Sequence, residues 1–295
     1  MNLAAGDFVL PVDKPVGPTS HDVVAAARRA LGTRRVGHTG TLDPFASGLL
    51  LLCIGRATRL AEYLSGMSKT YHATARLGVT TDTLDRDGSL MVERDASSVD
   101  EAAIRQVLAE LVGAIQQVPP QFSAKKVDGE AMYSRARKGE HVELPPVDVT
   151  IHEADLVSCD GSDVDFSVRC SSGTYIRAIA RDLGEALGVG AHLTELRRTS
   201  VGQYRIEDAV SMDELADETV VARARVAPIA AMAHLEGITL KDEHAARLLQ
   251  GQRIRIAGEG EGRSADRVAI SFGEDLLAIA ELDDGVIRPR KVFPA

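Results

Sequence analysis

Residues 34–48 read RRVGHTGTLDPFASG, and residues 49–54, LLLLCI, follow without a break. The first string holds Gly37, Gly40 and Gly48, with Pro44 and the small polar residues Thr39, Thr41 and Ser47. Neither a regular helix nor a central strand tolerates that density of glycine and proline. The string is therefore a shaped loop, held between a helix before it and the apolar run after it. Loops on a rigid scaffold often position reactive groups. Asp43 before Pro44 is also an ordinary turn former, so on these grounds alone the chemical and the local readings stand level.

Outward from the loop, helix and strand signals alternate. Thr19 and Ser20 can cap a helix running to Leu31, stopped by Gly32. Residues 70–77, TYHATARL, alternate like a half-buried strand with Tyr71, Ala73, Ala75 and Leu77 on one side. Ser98-x-x-Glu101 reads as a capping box before Ile104, Val107, Leu108 and Leu111 at helical spacing. Residues 163–170 alternate again, with Val164, Phe166, Val168 and Cys170 facing one way. Thr174 is the expected cap of a helix burying Ile176, Ile179, Ala180, Leu183 and Leu187 and ending at Gly188. The spacing of strands and helices is irregular, and no GxGxxG or GxxxxGK[ST] follows a strand. An α+β fold with a mixed, mostly antiparallel sheet is expected rather than a doubly wound nucleotide fold.

Two stretches stand apart. Residues 117–146, QVPPQFSAKKVDGEAMYSRARKGEHVELPP, are a basic segment bracketed by two Pro-Pro pairs. Excursions of this length are often functional. Residues 221–230 are weakly patterned, and after them LKDEHAARLLQGQRI begins a small unit with strand-like pieces at 267–272 and 276–282. The expected division is 1–228 and 229–295.

The 295 residues are 44% hydrophobic and 26% charged, which is ordinary for a globular chain with a sizeable core. No apolar run reaches the ~20 residues of a membrane helix, and Met1–Asp7 does not look like a signal peptide. Cys53, Cys159 and Cys170 are widely spaced with no CxxC, so neither a disulfide framework nor a metal site is expected, and a reducing cytoplasm fits. The formal charge of −9 divides into +2 over residues 1–90, −11 over 91–220 and 0 over the rest. Within that background lie three basic clusters: Arg28, Arg29, Arg34 and Arg35; Lys125, Lys126, Arg135, Arg137 and Lys138; Arg197, Arg198 and Arg205. A phosphate backbone senses the local patch, because the Debye length is only ~8 Å at physiological salt. Taken singly, each cluster reads as a solvated face.

Further motifs make the pattern specific. GHTGTLDPFASG (37–48) resembles the catalytic loop of the bacterial tRNA pseudouridine-55 synthases, the TruB type. In the same order, Asp13-Lys14-Pro15-x-Gly17 with Thr19-Ser20, Lys69-Thr70-Tyr71, VPPQFSAKK with Tyr133, CSSGTYIR (170–177), and Gly190-Ala191-His192-Leu193 with Leu196-Arg197-Arg198 resemble that family's remaining elements. The matches span residues 9 to about 205, and the part beyond 230 resembles the small PUA-like domain that follows the catalytic domain in the family. The resemblance implies an isomerase, acting without cofactor or metal, that turns uridine 55 of the tRNA T loop into pseudouridine. It implies Asp43 as nucleophile or base, with Arg177 as its partner. It implies Tyr71 and Tyr175 as aromatic platforms for a flipped base, Leu196 as a pocket wall and His38 as a wedge into the RNA loop. It further implies that Lys125 and Lys126 belong to the RNA-gripping insertion, and Lys14 with Pro15 is expected to support the catalytic loop. Tyr71 and Tyr175 read alone would be core, as would Leu196. The expected partner is the tRNA T stem-loop, with no membrane, and the expected state is a monomer in the cytoplasm.

Chemistry agrees with these roles. An ionised carboxylate buried in a pocket needs a cation beside it, and a stacked uridine must be flipped out to be reached. Two other readings stay open. An RNA-binding or RNA-folding protein would use the same basic patches, but has no use for a buried carboxylate facing an anionic ligand. A nucleoside hydrolase would also cleave a glycosidic bond, but would need a positioned water and usually a second acid, which the matched motifs do not supply.

Overall fold

The structure is a computed structural model. It describes residues 6–122, 144–256 and 262–293, together with the backbone of 126–127 and 130–131. The basic segment's Lys125, Tyr133, Arg135, Arg137 and Lys138, and the side chain of Lys126, lie outside the described residues.

In chain order the first body contains β1 (Phe8–Lys14), α1 (Ser20–Ala30), β2 (Val36–His38), β3 (Ser47–Ile54), α2 (Ala61–Ser65), β4 (Lys69–Leu77), β5 (Val79–Thr81), β6 (Leu90–Glu93), α3 (Glu101–Glu110) and β7 (Gly113–Gln117). It continues with the two-residue strands β8 (Lys126–Val127) and β9 (Glu130–Ala131), then β10 (Val147–Asp160), β11 (Asp163–Cys170), α4 (Ile176–Ala186), β12 (Ala191–Val201), β13 (Tyr204–Arg205) and β14 (Val210–Ser211). Short helices α5 (Glu218–Ala224) and α6 (Pro228–Ala231) fill the weakly patterned stretch. Then follow β15 (Glu236–Thr239), α7 (Asp242–Leu249), β16 (Ile254–Arg255), β17 (Ala265–Phe272), β18 (Asp275–Asp283) and β19 (Val286–Val292).

The main sheet runs β14-β1-β3-β12-β4-β11-β10-β7, with β2 on β3 and β13 on β12. Among this sheet's described pairings only β1–β14 and β3–β12 are parallel. It is the mixed, mostly antiparallel sheet expected of an α+β fold. The run at 49–54 is apolar throughout because β3 is covered on both faces. Leu50, Leu52 and Ile54 pack under Val23, Val24 and Ala27 of α1. Leu49, Leu51 and Cys53 share a core with Leu64, Ile279 and Phe293. On the other half of the sheet, α3 and α4 cover Ala73, Ala75, Val164 and Phe166. The residues read as the inner faces of β4 and β11 are all buried.

A second sheet, β15-β17-β18-β19-β16, has its own core of Leu248, Val268, Ile270, Ala280 and Ile287. It is fastened to the first body around α2. Arg59 Nη1 donates to Val292 O at 2.5 Å, Lys291 Nζ donates to Arg59 O at 2.9 Å, and Lys291 pairs with Glu62.

Two caps differ from expectation. Asp100, not Ser98, caps α3, its carboxylate accepting from Ala103 N at 2.8 Å. Thr174 does not cap α4: its hydroxyl donates to Ser171 O at 3.0 Å, and Tyr175 is the N-cap residue. The wholly buried Gln117 holds that end of the helix, accepting from Tyr175 N at 2.8 Å and donating to Tyr175 O at 3.2 Å. A long-range amide has replaced the local hydroxyl.

Candidate active site

The shaped loop is fixed from several directions. Ser20 Oγ, at the start of α1, accepts from Leu42 N at 2.8 Å and donates to Leu42 O at 3.1 Å. Gly17 N donates to Pro44 O at 2.8 Å. Gly48 has φ +109°, and a Cβ there would lie 2.2 Å from the backbone oxygen of Arg198 on β12. Only glycine lets β3 come this close to β12 as it leaves the loop. The residue next to Leu42, Asp43, is thereby held with its side chain 37% exposed.

Arg177, on the first turn of α4, meets it. Its Nη2 lies 3.0 Å from Asp43 Oδ2, and its side chain is only 6% exposed. The same guanidinium donates to Thr83 O and to Phe122 O, both at 2.8 Å, and its Nη1 lies 3.3 Å from Asp85 Oδ2. One planar fork thus spans two carboxylates and two carbonyls. Burial pushes the Asp85 carboxyl up from its ordinary value; a hydrogen bond from Thr83 and the charge of Arg177 oppose this. Leu84, between these acceptors, has φ +63°, uncommon for a bulky residue. It is tied down by Leu193 N, which donates to Leu84 O at 3.0 Å.

Asp43 and Arg177 face a cavity of about 300 Å³, also lined by Tyr71, Tyr175, Leu196, Lys69 and Arg198. Tyr71 and Leu196 are buried, Tyr175 is half-buried. Burial is the main cause that pushes the Tyr71 phenol up, with Arg198 working the other way. Lys69 Nζ donates to Ser65 O at 2.5 Å and Met67 O at 2.7 Å, and burial pulls it down to about 8.

Lys14 is completely buried beneath the loop. Its Nζ donates to Pro15 O at 2.9 Å and Pro18 O at 2.8 Å. Burial, opposed by Asp43, lowers it to about 8. His38 lies outside the cavity lining. Its Nδ1 accepts from Gly40 N at 3.3 Å, and its ring meets His21 edge-on at 5.6 Å. Burial first, then His21 and Arg198, pull it below the ordinary histidine range.

Asp43, Arg177, Tyr71, Tyr175 and Leu196 therefore come together, with Lys14 buried and His38 beside the loop, whereas Pro15 is exposed and its carbonyl serves to hold Lys14. Lys125 and Lys126 fall outside the described side chains. Asp85, Thr83, Gln117 and Arg198 were not singled out from sequence as site residues. For Asp85 a faint signal exists in Thr81-Asp82-Thr83-Leu84-Asp85, but such a run reads first as turn chemistry.

A family model described as TruB family pseudouridylate synthase (N terminal domain) matches residues 28–176. Models described as tRNA pseudouridylate synthase B C-terminal domain and Pseudouridine synthase II TruB, C-terminal, match 177–236 and 237–293. A tRNA pseudouridine synthase B of Thermobifida fusca (strain YX) is 49% identical over 297 residues, covering 97% of this chain and 98% of the relative. That of Arthrobacter sp. (strain FB24) is 48% identical over 293 residues, covering 96% and 95%. Among solved structures, a chain of an H/ACA RNP bound to a substrate RNA containing 2'-deoxyuridine matches with a TM-score of 0.76 at 28% identity, covering 98% of this chain and 85% of that chain.

Proposed function

This chain belongs to the TruB family of pseudouridylate synthases, and from that premise we propose that it isomerises uridine 55 in the T loop of tRNA, with Asp43 as nucleophile or base. The observation that carries the reading is the Asp43–Arg177 pair at 3.0 Å on the wall of a cavity also lined by Tyr71 and Leu196. The tRNA substrate rests on the names of the relatives, and the T-loop position on the family resemblance of the motifs.

The reaction breaks N1–C1′, turns the base and joins C5 to C1′. N1 gains a proton and C5 loses one, so the product has the atoms of the substrate. No electrons or groups are exchanged with another molecule, and no cofactor is invoked. Asp43 is reachable from the cavity while Arg177 holds it from behind, so its free oxygen can attack the sugar or the base, or take a proton. A cavity of this size admits a nucleotide but no duplex, so the uridine must leave its stack. Tyr71 gives the extruded base an aromatic face, Leu196 and Tyr175 complete the walls, and His38 stands beside the loop where the vacated stack would lie. Asp85 does not line the cavity and is committed to Arg177, Thr83 and Asp87. A second acid free to position water, as a hydrolase needs, is not supplied by it.

We assign residues 1–228 to catalysis and 229–295 to holding the rest of the tRNA, with Lys125 and Lys126 as phosphate contacts in the insertion. The test is incubation of the chain with a T stem-loop RNA carrying tritium at uridine C5. Tritium release that requires the single loop uridine, with the base still attached to RNA, is the expected result. No release, or free uracil, would refute the reading.

A further inference from the structure

Arg198 is 2% exposed, yet among the described residues no carboxylate lies within ion-pair distance of it. A buried guanidinium without a counter-ion is costly, and a well-packed apolar side chain would fill the same space more cheaply in free energy. What it does touch is informative. On β12 it stands directly across from Tyr71 of β4 on one side and from Gly48 of β3 on the other. Its Nε donates to Leu49 O at 2.6 Å and its Nη2 to Gly40 O at 3.1 Å. Its charge also bears on the Tyr71 phenol, opposing the upward push of burial, and both side chains line the same cavity. Gly40 and Leu49 bracket Asp43 in the chain, one near each end of the shaped loop.

We propose that Arg198 is a positioning residue, whose guanidinium locks the two ends of the Asp43 loop and the Tyr71 phenol into one arrangement. The inference rests on the proposed function of this cavity. The link is geometric. Cross-strand partners on an antiparallel pair point to the same face, so Arg198 and Tyr71 present their side chains to the same cavity. With Nε and Nη2 it fixes one carbonyl near each end of the loop. The reacting carboxylate comes from the loop before β3 and the aromatic platform from β4, and Arg198, on the strand that lies between β3 and β4 in the sheet, holds the loop's carbonyls while standing across from Tyr71. A misplacement of about 1 Å between such groups costs on the order of a hundredfold in rate.

The experiment compares parent, Arg198→Met, Arg198→Lys, Tyr71→Phe and the Arg198→Met/Tyr71→Phe double variant, using full-length chain and tritiated T stem-loop RNA. Single-turnover rate, RNA dissociation constant and thermal melting are read for each. The expected result for Arg198→Met is a rate lowered by roughly a hundredfold, with RNA affinity near the parent's. Arg198→Lys, which keeps the charge but loses the planar fork that spans both carbonyls, should recover part of the loss. The Tyr71→Phe change should cost less in the Arg198→Met background than in the parent, because neighbours that act as one unit do not lose rate independently. A parental rate in Arg198→Met, or losses that multiply independently, would overturn the proposal. So would a loss explained wholly by the unfolded fraction. Should Arg198→Met fail to fold, Arg198→Lys decides: parental rate and parental melting together refute it. An inactive parent instead refutes the underlying reading of the cavity, and the two failures are thereby distinguished.

Discussion

Two arginine–carboxylate contacts, one on β4 and one at the cavity that Tyr71 of β4 helps to line, are of opposite character. On β4, Arg76 forks onto Asp163 of β11, its direct cross-strand partner, at 2.8 and 2.6 Å. At the cavity, Arg177 reaches Asp43 only at 3.0 Å. By distance and fork geometry the first contact is better. Its side chains, however, are 47% and 37% exposed, whereas Arg177 is 6% exposed and also serves Asp85 and two carbonyls. Asp43 is as open as Asp163, at 37%, so water reaches the carboxylate in both contacts but is displaced from the arginine only in the second. Burial and the number of acceptors held, more than distance, separate a surface contact from a site.

The largest break in that comparison is Asp43→Asn. The amide is nearly isosteric but cannot act as nucleophile or base, so turnover should vanish while RNA affinity stays or rises, as read by tritium release and filter binding. Arg177→Ala comes next. It leaves Asp43 and Asp85 without their shared cation, and removing one partner of a buried pair costs ~3–5 kcal/mol. Severe loss of activity with lowered melting is expected, and a variant that melts and reacts like the parent would mean that the site does not depend on the pair. Tyr71→Ala should lower kcat/KM on a stem-loop by the worth of one stacked base, ~1–3 kcal/mol.

Lys14 sharpens the comparison through pH. Its folded value of about 8 lies below the ordinary 10.5. Between those limits the unfolded chain binds more protons, so Lys14 makes the folded state gain stability as pH rises through 8, by up to about 1.4 kcal/mol per pH unit. Denaturant unfolding on either side of pH 8 should show this gain in the parent relative to Lys14→Met. An equal pH slope in both would place the lysine's charge in solvent. The smallest effect is expected for Arg76→Ala: at most ~1 kcal/mol of stability and an unchanged rate, despite the loss of the shorter contact.

Short-range regularities were legible in the sequence. The period-two alternation of β4 and β11 named their buried faces correctly, the Thr19 cap located α1, and the glycines and proline of 34–48 marked the loop that presents Asp43. Thr174 failed as a cap because its hydroxyl went to Ser171 and Gln117, 58 residues away, took hold of Tyr175. The motif resemblance supplied Arg177 as the partner of Asp43, but periodicity and spacing gave no hint of what else it would hold.

By itself the sequence determined the helix α1, the buried faces of β4 and β11, and the loop with its carboxylate, because those depend on side-chain identities a few residues apart. Tertiary structure alone decided how the site is held together. Arg177 meets the carbonyl of Thr83, 94 residues away, and that of Phe122, 55 away, while Arg198 meets the carbonyl of Gly40 across 158. A backbone carbonyl is the same group at every position, so nothing in the sequence marks which ones an arginine will find; only the folded chain brings them within reach.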